Sequence, residues 1–253
     1  MAEALLRVSG VSRNFLGVTA LLNVDLEVYP GELVSLIGPN GSGKTTLFNC
    51  ISGLLRTHGG RISFKGEDIT RKRADLIARG GIRRTFQDVR NFPGLTVMEN
   101  LLIAMQQQQE DSIWQRAVRT PRIRQLEEEA RARAAEILQL VELTELKNHR
   151  AGELSYGQRK LMEFAAALMP DPDLILLDEP AAAVSSYMID RIKSYIQVLH
   201  GQGKTFMVVE HNMNVVMDLS QRIIVLNYGQ KIAEGTPQEI QQNAKVLEAY
   251  FGT

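Results

Sequence analysis

Residues 32–46 read ELVSLIGPNGSGKTT and decide the fold. Glu32 to Ile37 form a mostly apolar run, which is typical of a short strand buried in a parallel sheet. Residues 38–45 then match G-x-x-x-x-G-K-[ST] in full, between this strand and a predicted helix. Glycines in such a turn let backbone N–H groups face phosphates, while the lysine and hydroxyl side chains reach phosphate oxygens and Mg²⁺. The segment predicts a nucleotide-binding set that comprises Gly38, Pro39, Asn40, Gly41, Ser42, Gly43, Lys44, Thr45 and Thr46.

A second apolar run, residues 174–177, ends in the acidic pair Asp178 and Glu179. An acid at the carboxyl end of a buried parallel strand faces the crevice where ligands bind. We expect Asp178 to hold Mg²⁺, directly or through water, as Thr45 would. Glu179 is placed to polarise an attacking water as general base. An exposed acidic pair is the alternative, and the four apolar residues before it count against that.

The pattern of the whole chain predicts one α/β domain over residues 1–253 with a mostly parallel sheet. Residues 5–29 alternate as antiparallel strands do, so we expect an N-terminal antiparallel β subdomain. Residues 88–169 are rich in Glu, Gln, Arg, Ala and Leu, and they predict an inserted α-helical subdomain. The nucleotide-binding core then comprises residues 1–87 and 170–236, and residues 237–253 form a C-terminal helical tail.

Composition excludes several classes of protein. The 253 residues carry 44% hydrophobic and 23% charged side chains, as ordinary globular proteins do. Zero formal net charge argues against a nucleic-acid-binding surface. The single cysteine, Cys50, excludes an internal disulfide and a multi-cysteine zinc site. No apolar run approaches the roughly 20 residues needed to cross a bilayer, and the N-terminus does not resemble a secretory signal.

The segment Leu154-Ser155-Tyr156-Gly157-Gln158 resembles the signature sequence of ABC transporter ATPases, usually LSGGQ. The phosphate loop, this segment and the acidic strand stand in the order of that family, so the resemblance covers essentially the whole chain. It implies a P-loop NTPase core of the ABC ATPase type that hydrolyses ATP with Mg²⁺. It also implies a head-to-tail dimer, in which ATP held by one subunit meets the other subunit's Ser155, Gly157 and Gln158.

The same resemblance assigns roles outside these motifs. Gln87, in Arg84-Thr85-Phe86-Gln87, corresponds to the glutamine that contacts Mg²⁺ and the attacking water. His211 corresponds to the histidine that contacts the γ-phosphate. Phe15 corresponds to the aromatic side chain that stacks on adenine, with Val18 beside it. By itself Phe15 is more simply explained as a core residue. The implied catalytic set is Lys44, Gln87, Glu179 and His211.

Shorter strings resemble the ATPase subunits of branched-chain and other hydrophobic amino-acid importers. Examples are Arg83-Arg84-Thr85-Phe86-Gln87, Asp178-Glu179-Pro180-Ala181-Ala182 and Ala249-Tyr250-Phe251-Gly252. The long segment between Ala104 and Gln125 resembles the extended member of the two ATPases in such systems. The resemblance implies a second ATPase subunit (a copy or a paralogue), two membrane permease subunits and, indirectly, an extracytoplasmic binding protein. The chain would then sit at the cytoplasmic face of the plasma membrane.

Three positions depart from the family pattern. Ala183 and Ser185 stand where the loop after the acidic strand usually has Gly and then Asn or Asp, and Ala166 replaces a usual Arg. Alanine restricts the backbone if the loop requires a positive φ, and Ser185 is shorter than the residue that reaches across the dimer. These changes leave open a regulatory subunit with weak hydrolysis. A motor for urea or amides, an exporter motor and a soluble ABC protein acting on DNA or ribosomes are further alternatives.

Overall fold

The chain is organised around two sheets, in a computed structural model that describes residues 3–85, 91–106 and 121–251. The first sheet is antiparallel with strand order β2-β1-β4-β5. Its strands are β1 (Leu6–Phe15), β2 (Val18–Val28), β4 (Gly59–Phe64) and β5 (Glu67–Asp68). Leu16 and Gly17 both take positive φ in the β1–β2 turn, which suits a tight hairpin. The predicted N-terminal antiparallel subdomain is confirmed.

The second sheet has six strands in the order β10-β9-β3-β8-β7-β6. They are β3 (Leu33–Ile37), β6 (Ile82–Arg84), β7 (Leu174–Asp178), β8 (Thr205–Val209), β9 (Arg222–Asn227) and β10 (Gln230–Gly235). All pairings are parallel except that of β10 with β9. Every residue of β3, β7 and β8 is buried, as expected for central strands covered on both faces.

Nine helices surround the sheets in the described ranges. They are α1 (Lys44–Ile51), α2 (Ala74–Arg79), α3 (Val97–Gln106), α4 (Pro121–Leu140), α5 (Tyr156–Leu168), α6 (Ser186–Gly201), α7 (Met213–Leu219), α8 (Pro237–Gln241) and α9 (Ala244–Phe251). Helices α3, α4 and α5 follow one another within the segment predicted to be a helical insertion. Among the described residues, no helix is both long and apolar enough to span a membrane.

Helix α1 is shorter than the sequence pattern indicates. The pattern predicts a helix that continues to Leu55, whereas the helix ends at Ile51. Ser52 Oγ donates to the Phe48 carbonyl at 2.8 Å, and Gly53 takes a φ of +72°. A glycine in this conformation commonly ends a helix. The helix therefore stops at Ile51, next to the phosphate loop that it follows.

Side chains that alternate along the central strands pack into two separate hydrophobic cores. Ile175 and Leu177 pack in one cluster with residues of α3, α4, α5 and α6, whereas Leu174 and Leu176 pack with α1 and the antiparallel sheet. In register, Val209 of β8 lies between Leu36 of β3 and Asp178 of β7. The carboxyl ends of these three strands therefore meet at one edge of the sheet.

Candidate nucleotide site

The turn between β3 and α1 requires its glycines. Gly38, Gly41 and Gly43 have φ of +150°, +79° and +104°. A Cβ on Gly38 would lie 2.0 Å from the Leu226 carbonyl oxygen, and one on Gly43 would lie 2.5 Å from the Ala20 carbonyl oxygen. L-amino acids other than glycine rarely adopt these conformations. The turn is therefore built tightly against β2 and β9.

Lys44 begins α1 and turns back over the loop. Its Nζ donates to the carbonyl oxygens of Gly38 at 2.7 Å and Pro39 at 2.9 Å. The residue is only 5% exposed, and this burial lowers the pKa of Lys44, while the charges of Glu179 and Asp178 oppose the shift. The lysine ammonium is thus held by the loop itself and lies within the electrostatic influence of both acidic residues of the second motif.

Asp178 ends β7 in a buried position, 3% exposed. Its Oδ2 lies 2.7 Å from Arg84 Nη2 in an ion pair that is almost fully buried on both sides. Arg84 also donates to Asn49 Oδ1 at 2.6 Å and to Ser52 Oγ at 3.2 Å. Sequence reasoning missed Arg84, since only the parallel pairing of β6 with β7 brings it to the acid.

Glu179 follows Asp178 and turns out of the sheet with a φ of +50°. Its backbone N–H donates to the Val209 carbonyl at 2.9 Å. Its Oε1 lies 3.0 Å from His211 Nε2. The structure thus brings two of the predicted catalytic side chains into direct contact at the edge where β7 and β8 end.

The backbone that follows Glu179 is held by two buried charged residues that the motifs do not include. Lys160 Nζ, from α5, donates to the carbonyl oxygens of Glu179 at 3.0 Å and Ala182 at 2.7 Å. Glu210 Oε1 accepts from the Ala181 N–H at 2.7 Å. These contacts join the signature helix and the strand-end of β8 to the same short loop.

Ser155 begins α5 as an N-cap in a capping box. Its Oγ accepts from the Gln158 N–H at 3.3 Å, and Gln158 Oε1 accepts from the Ser155 N–H at 2.9 Å. This pairing satisfies free donors of the first turn and fixes where the helix begins. The signature residues therefore form a helix N-terminus, which suits an anion. A Cβ on Gly157 would lie 3.1 Å from Met188 Cε.

The remaining predicted residues lie in different settings. Phe15 and Val18 face each other across the β1–β2 turn and are 38% and 68% exposed. Ala20, two residues after Val18, contacts the phosphate loop at Gly43. Thr45 is exposed and Thr46 half-buried at the start of α1. Gln87 lies outside the described residues.

The C-terminal helix packs close to the phosphate loop, which sequence reasoning did not anticipate. Val246 of α9 is buried in a cluster with Ile37, Ile223 and Val225. Burial raises the pKa of Tyr250, one turn further on, and a hydrogen bond with the Gly38 backbone opposes this shift. Through Val246 the tail packs against the end of β3, where the phosphate loop begins.

A parallel sheet with a glycine-rich loop after one central strand and acidic residues at the end of another defines a class of nucleotide-binding α/β proteins. Here the loop follows β3 and the acidic residues end β7, at the same edge of the sheet. The sequence model described as ABC transporter matches residues 21–182, and that described as branched-chain amino acid ATP-binding cassette transporter matches residues 230–253. The chain belongs to the ABC transporter family, and it is an ATPase of the branch that carries this second C-terminal segment.

Individual relatives agree with this assignment. The chain is 41% identical over its full length to the high-affinity branched-chain amino acid transport ATP-binding protein LivG of Escherichia coli K12, of which it covers 99%. Its fold matches the ADP conformation of MJ1267, an ATP-binding cassette of an ABC transporter, with a TM-score of 0.84 and 34% identity over both full chains. It also matches the dimeric post-hydrolysis structure of the cassette MJ0796 bound to ADP and Pi, with a TM-score of 0.78 and 30% identity over 92% of this chain and 98% of that one.

Proposed function

We propose that this chain is the motor subunit of an importer for branched-chain or other hydrophobic amino acids, and that the described site hydrolyses ATP. The observation that carries the chemistry is the Glu179–His211 contact at 3.0 Å, beside buried Asp178 and Lys44. The choice of cargo is supported by the full-length identity to LivG and by the match over residues 230–253.

In this proposal, the phosphate loop binds the phosphates of ATP and the β1–β2 turn binds its adenine. The loop N–H groups and Lys44 Nζ bind the β- and γ-phosphates, whose oxygens replace the Gly38 and Pro39 carbonyls as acceptors for the ammonium. Phe15 stacks on adenine with Val18 beside it. Such pre-positioned donors stabilise the charge that develops on the transferred phosphoryl group.

The donor set fits a magnesium ion. No group of three or more His, Cys, Asp or Glu side chains gathers within the described residues, but Mg²⁺ at a nucleotide needs only one or two carboxylates besides phosphates and water. The Thr45 hydroxyl and Asp178 would hold it, with Gln87 as a third ligand. Bound Mg²⁺ supplies charge neutralisation to the phosphates, and Asp178 would share its carboxylate between the ion and Arg84, which pairs with Oδ2.

Glu179 and His211 are proposed to activate the attacking water and to contact the γ-phosphate, respectively. Glu179 accepts a proton from the attacking water as general base. His211, at hydrogen-bond distance from the Glu179 carboxylate, orients that carboxylate and can donate to the γ-phosphate. Positioned groups of this kind contribute roughly 10²–10⁴-fold to rate.

The site is proposed to be completed by a second ATPase subunit, a copy or a paralogue. Ser155, Gly157 and Gln158 at the start of α5 would bind the γ-phosphate of ATP held by that subunit. The dimeric MJ0796 structure supports a paired arrangement for this fold. ABC cassettes act on membrane permease subunits, here proposed to be two, which an extracytoplasmic binding protein serves. We therefore place the chain peripherally at the cytoplasmic face of the plasma membrane.

The proposal is tested by ATP hydrolysis of the purified chain, alone and with its partner ATPase. We expect turnover to require Lys44 and to rise steeply with protein concentration, since two subunits complete each site. Glu179→Gln should lower kcat by about 10²–10⁴-fold and leave ATP binding intact. Exchange of the exposed Glu128 for Gln is the control and should change neither. Turnover that survives Glu179→Gln would show that another group is the base.

One observation favours the regulatory alternative. Ala183 takes a φ of +58°, a conformation that glycine adopts without strain. If the chain binds ATP but hydrolyses it only with a paralogous partner, it is the weaker half of a heterodimer. If the chain binds no ATP, either alone or with its partner ATPase, both the motor and the regulatory proposals are wrong.

A further inference from the structure

The short loop after β7, residues 179–183, carries backbone strain at both ends. Glu179 and Ala183 have φ of +50° and +58°, and neither is glycine. Side chains at such positions are disfavoured, and the conformation persists only where surrounding contacts hold it. The contacts that hold this loop therefore decide where the Glu179 carboxylate lies.

Lys160 provides two of those contacts. It is 8% exposed, and its ammonium donates to the carbonyl oxygens of Glu179 and Ala182 at 3.0 and 2.7 Å. One side chain thus bonds to the first strained residue and to the residue just before the second. Burial lowers the pKa of Lys160, and the charges of Glu210, Glu163, Glu179 and Asp178 oppose this.

Glu210 provides a third side-chain contact to the loop. It is 3% exposed, and one carboxylate oxygen accepts from the Ala181 N–H at 2.7 Å. Its second oxygen accepts from the N–H groups of His211 at 3.0 Å and Asn212 at 3.2 Å. A single carboxylate therefore fixes the segment that carries Glu179 relative to the segment that carries His211.

We propose that Lys160 and Glu210 are positioning residues that hold residues 179–183 in the strained conformation and so set the Glu179–His211 contact. This inference rests on the proposed role of Glu179 as general base. Because Lys160 lies on α5, whose N-terminus is the signature segment, a movement of that helix pulls on the Glu179 carbonyl. Signature and general base of the same chain are thereby mechanically linked.

The strain supplies a specific test. In the full chain, Lys160→Met should lower kcat by about 10- to 100-fold, because misplacement of a reacting group by about 1 Å has effects of this size. The dissociation constant for ATP should change less than about threefold. Lys160→Arg, which keeps a buried cation with several donors, should recover most of the loss. Glu210→Gln, which loses charge but keeps one acceptor, should reduce kcat less than Lys160→Met does.

The decisive variant combines Lys160→Met with Ala183→Gly. Glycine adopts a φ of +58° without strain, so the loop needs less restraint, and we expect the double variant to regain at least about threefold in kcat. Lys204→Met, which removes a lysine paired with Asp171 at 2.6 Å, is the matched control and should leave kcat unchanged. Thermal unfolding identifies any variant that does not fold, and Lys160→Gln then replaces Lys160→Met under the same criterion.

Two results would overturn the inference: a folded Lys160→Met variant with kcat within twofold of the parent chain, or a double variant no faster than Lys160→Met. Failure of the proposed function is separately visible. In that case the parent chain shows no Lys44-dependent turnover, or Glu179→Gln retains it, whatever Lys160 does. If turnover depends on Glu179 but is unchanged by substitution of Lys160, the positioning role is wrong and the proposed function stands.

Discussion

At the scale of single residues, Arg84 and Asp178 form a buried ion pair at the candidate site. Both side chains are less than 10% exposed, and their atoms lie 2.7 Å apart. Taking two charges out of water is costly, and their attraction offsets that cost only with additional hydrogen bonds. Arg84 has such bonds to Asn49 and Ser52. Arg84 therefore pairs with Asp178 in the core and ties β6 to the helix after the phosphate loop.

Removing Arg84 should destabilise the folded chain strongly. Arg84→Met leaves the Asp178 carboxylate buried without its cation, so we expect the free energy of unfolding to fall by about 3–5 kcal/mol. The double variant with Asp178→Asn should recover about 1–3 kcal/mol of this loss. Urea unfolding without nucleotide measures both.

The control for that series is an exposed pair. Arg73 contacts Asp75 at 3.0 Å with side chains 81% and 47% exposed, and Arg73→Met should be neutral within error because solvent screens the pair. Equal losses for Arg84→Met with and without Asp178→Asn would contradict the ion pair as the source of the effect.

At the scale of elements, the loop after β7 and helix α6 explain one departure from the family sequence. Ser185 is the N-cap of α6, and its side chain accepts from the Met188 N–H at 3.3 Å. Serine, aspartate and asparagine are all good N-caps. The residue therefore has a local structural role that is independent of any contact across a dimer.

Substitution at this cap separates the two roles. Ser185→Ala should lower the free energy of unfolding by about 1 kcal/mol, while Ser185→Asp should keep the cap and the stability. ATPase activity of Ser185→Asp relative to the parent then reports on contact with the second subunit. A fully stable Ser185→Ala variant would show that the cap contributes nothing.

At the scale of the whole molecule, Cys50 is a single built-in probe of unfolding. It is the only cysteine of the chain, it is 4% exposed on α1, and burial raises its pKa from 9.0 to about 11, against the opposing charge of Arg13. The thiolate is the reactive form. Labelling of Cys50 therefore reports on exposure of the core around α1.

We expect iodoacetamide at pH 8 to label Cys50 at least about 100-fold more slowly in the folded chain than in urea, from the pKa difference alone. The sign of the stability effect follows from the same shift. Between pH 9 and about 11 the folded chain keeps a proton that the unfolded chain loses. The free energy of unfolding should therefore fall with rising pH over this range, by up to about 3 kcal/mol.

Cys50→Ala is the matched control for the pH series. Because it has no thiol to titrate, its free energy of unfolding should fall less steeply over the same range. Similar slopes for both proteins, or rapid labelling of the folded chain, would contradict the buried setting of Cys50.

The sequence by itself determined the local elements and placed the candidate catalytic residues at their ends. Residues 32–46 predict a strand, a glycine turn and a helix because apolar runs, glycine φ preferences and phosphate chemistry all act within a few neighbouring residues. The strand before Asp178 is recognisable for the same reason, and both predictions are confirmed as elements of the fold. The roles of the site residues, Gln87 included, and the domain boundaries stay predictions.

Only the tertiary structure decided which other side chains serve that site. Arg84, Lys160 and Glu210 lie 94, 19 and 29 residues from their partners Asp178, Glu179 and Ala181. No local pattern marks them, since a buried charge is indistinguishable from a surface charge until strand order and helix packing exclude water from it. The candidate catalytic residues are thus recognisable in the sequence, whereas the groups that contact them are identified only when β6, α5 and β8 meet around β7.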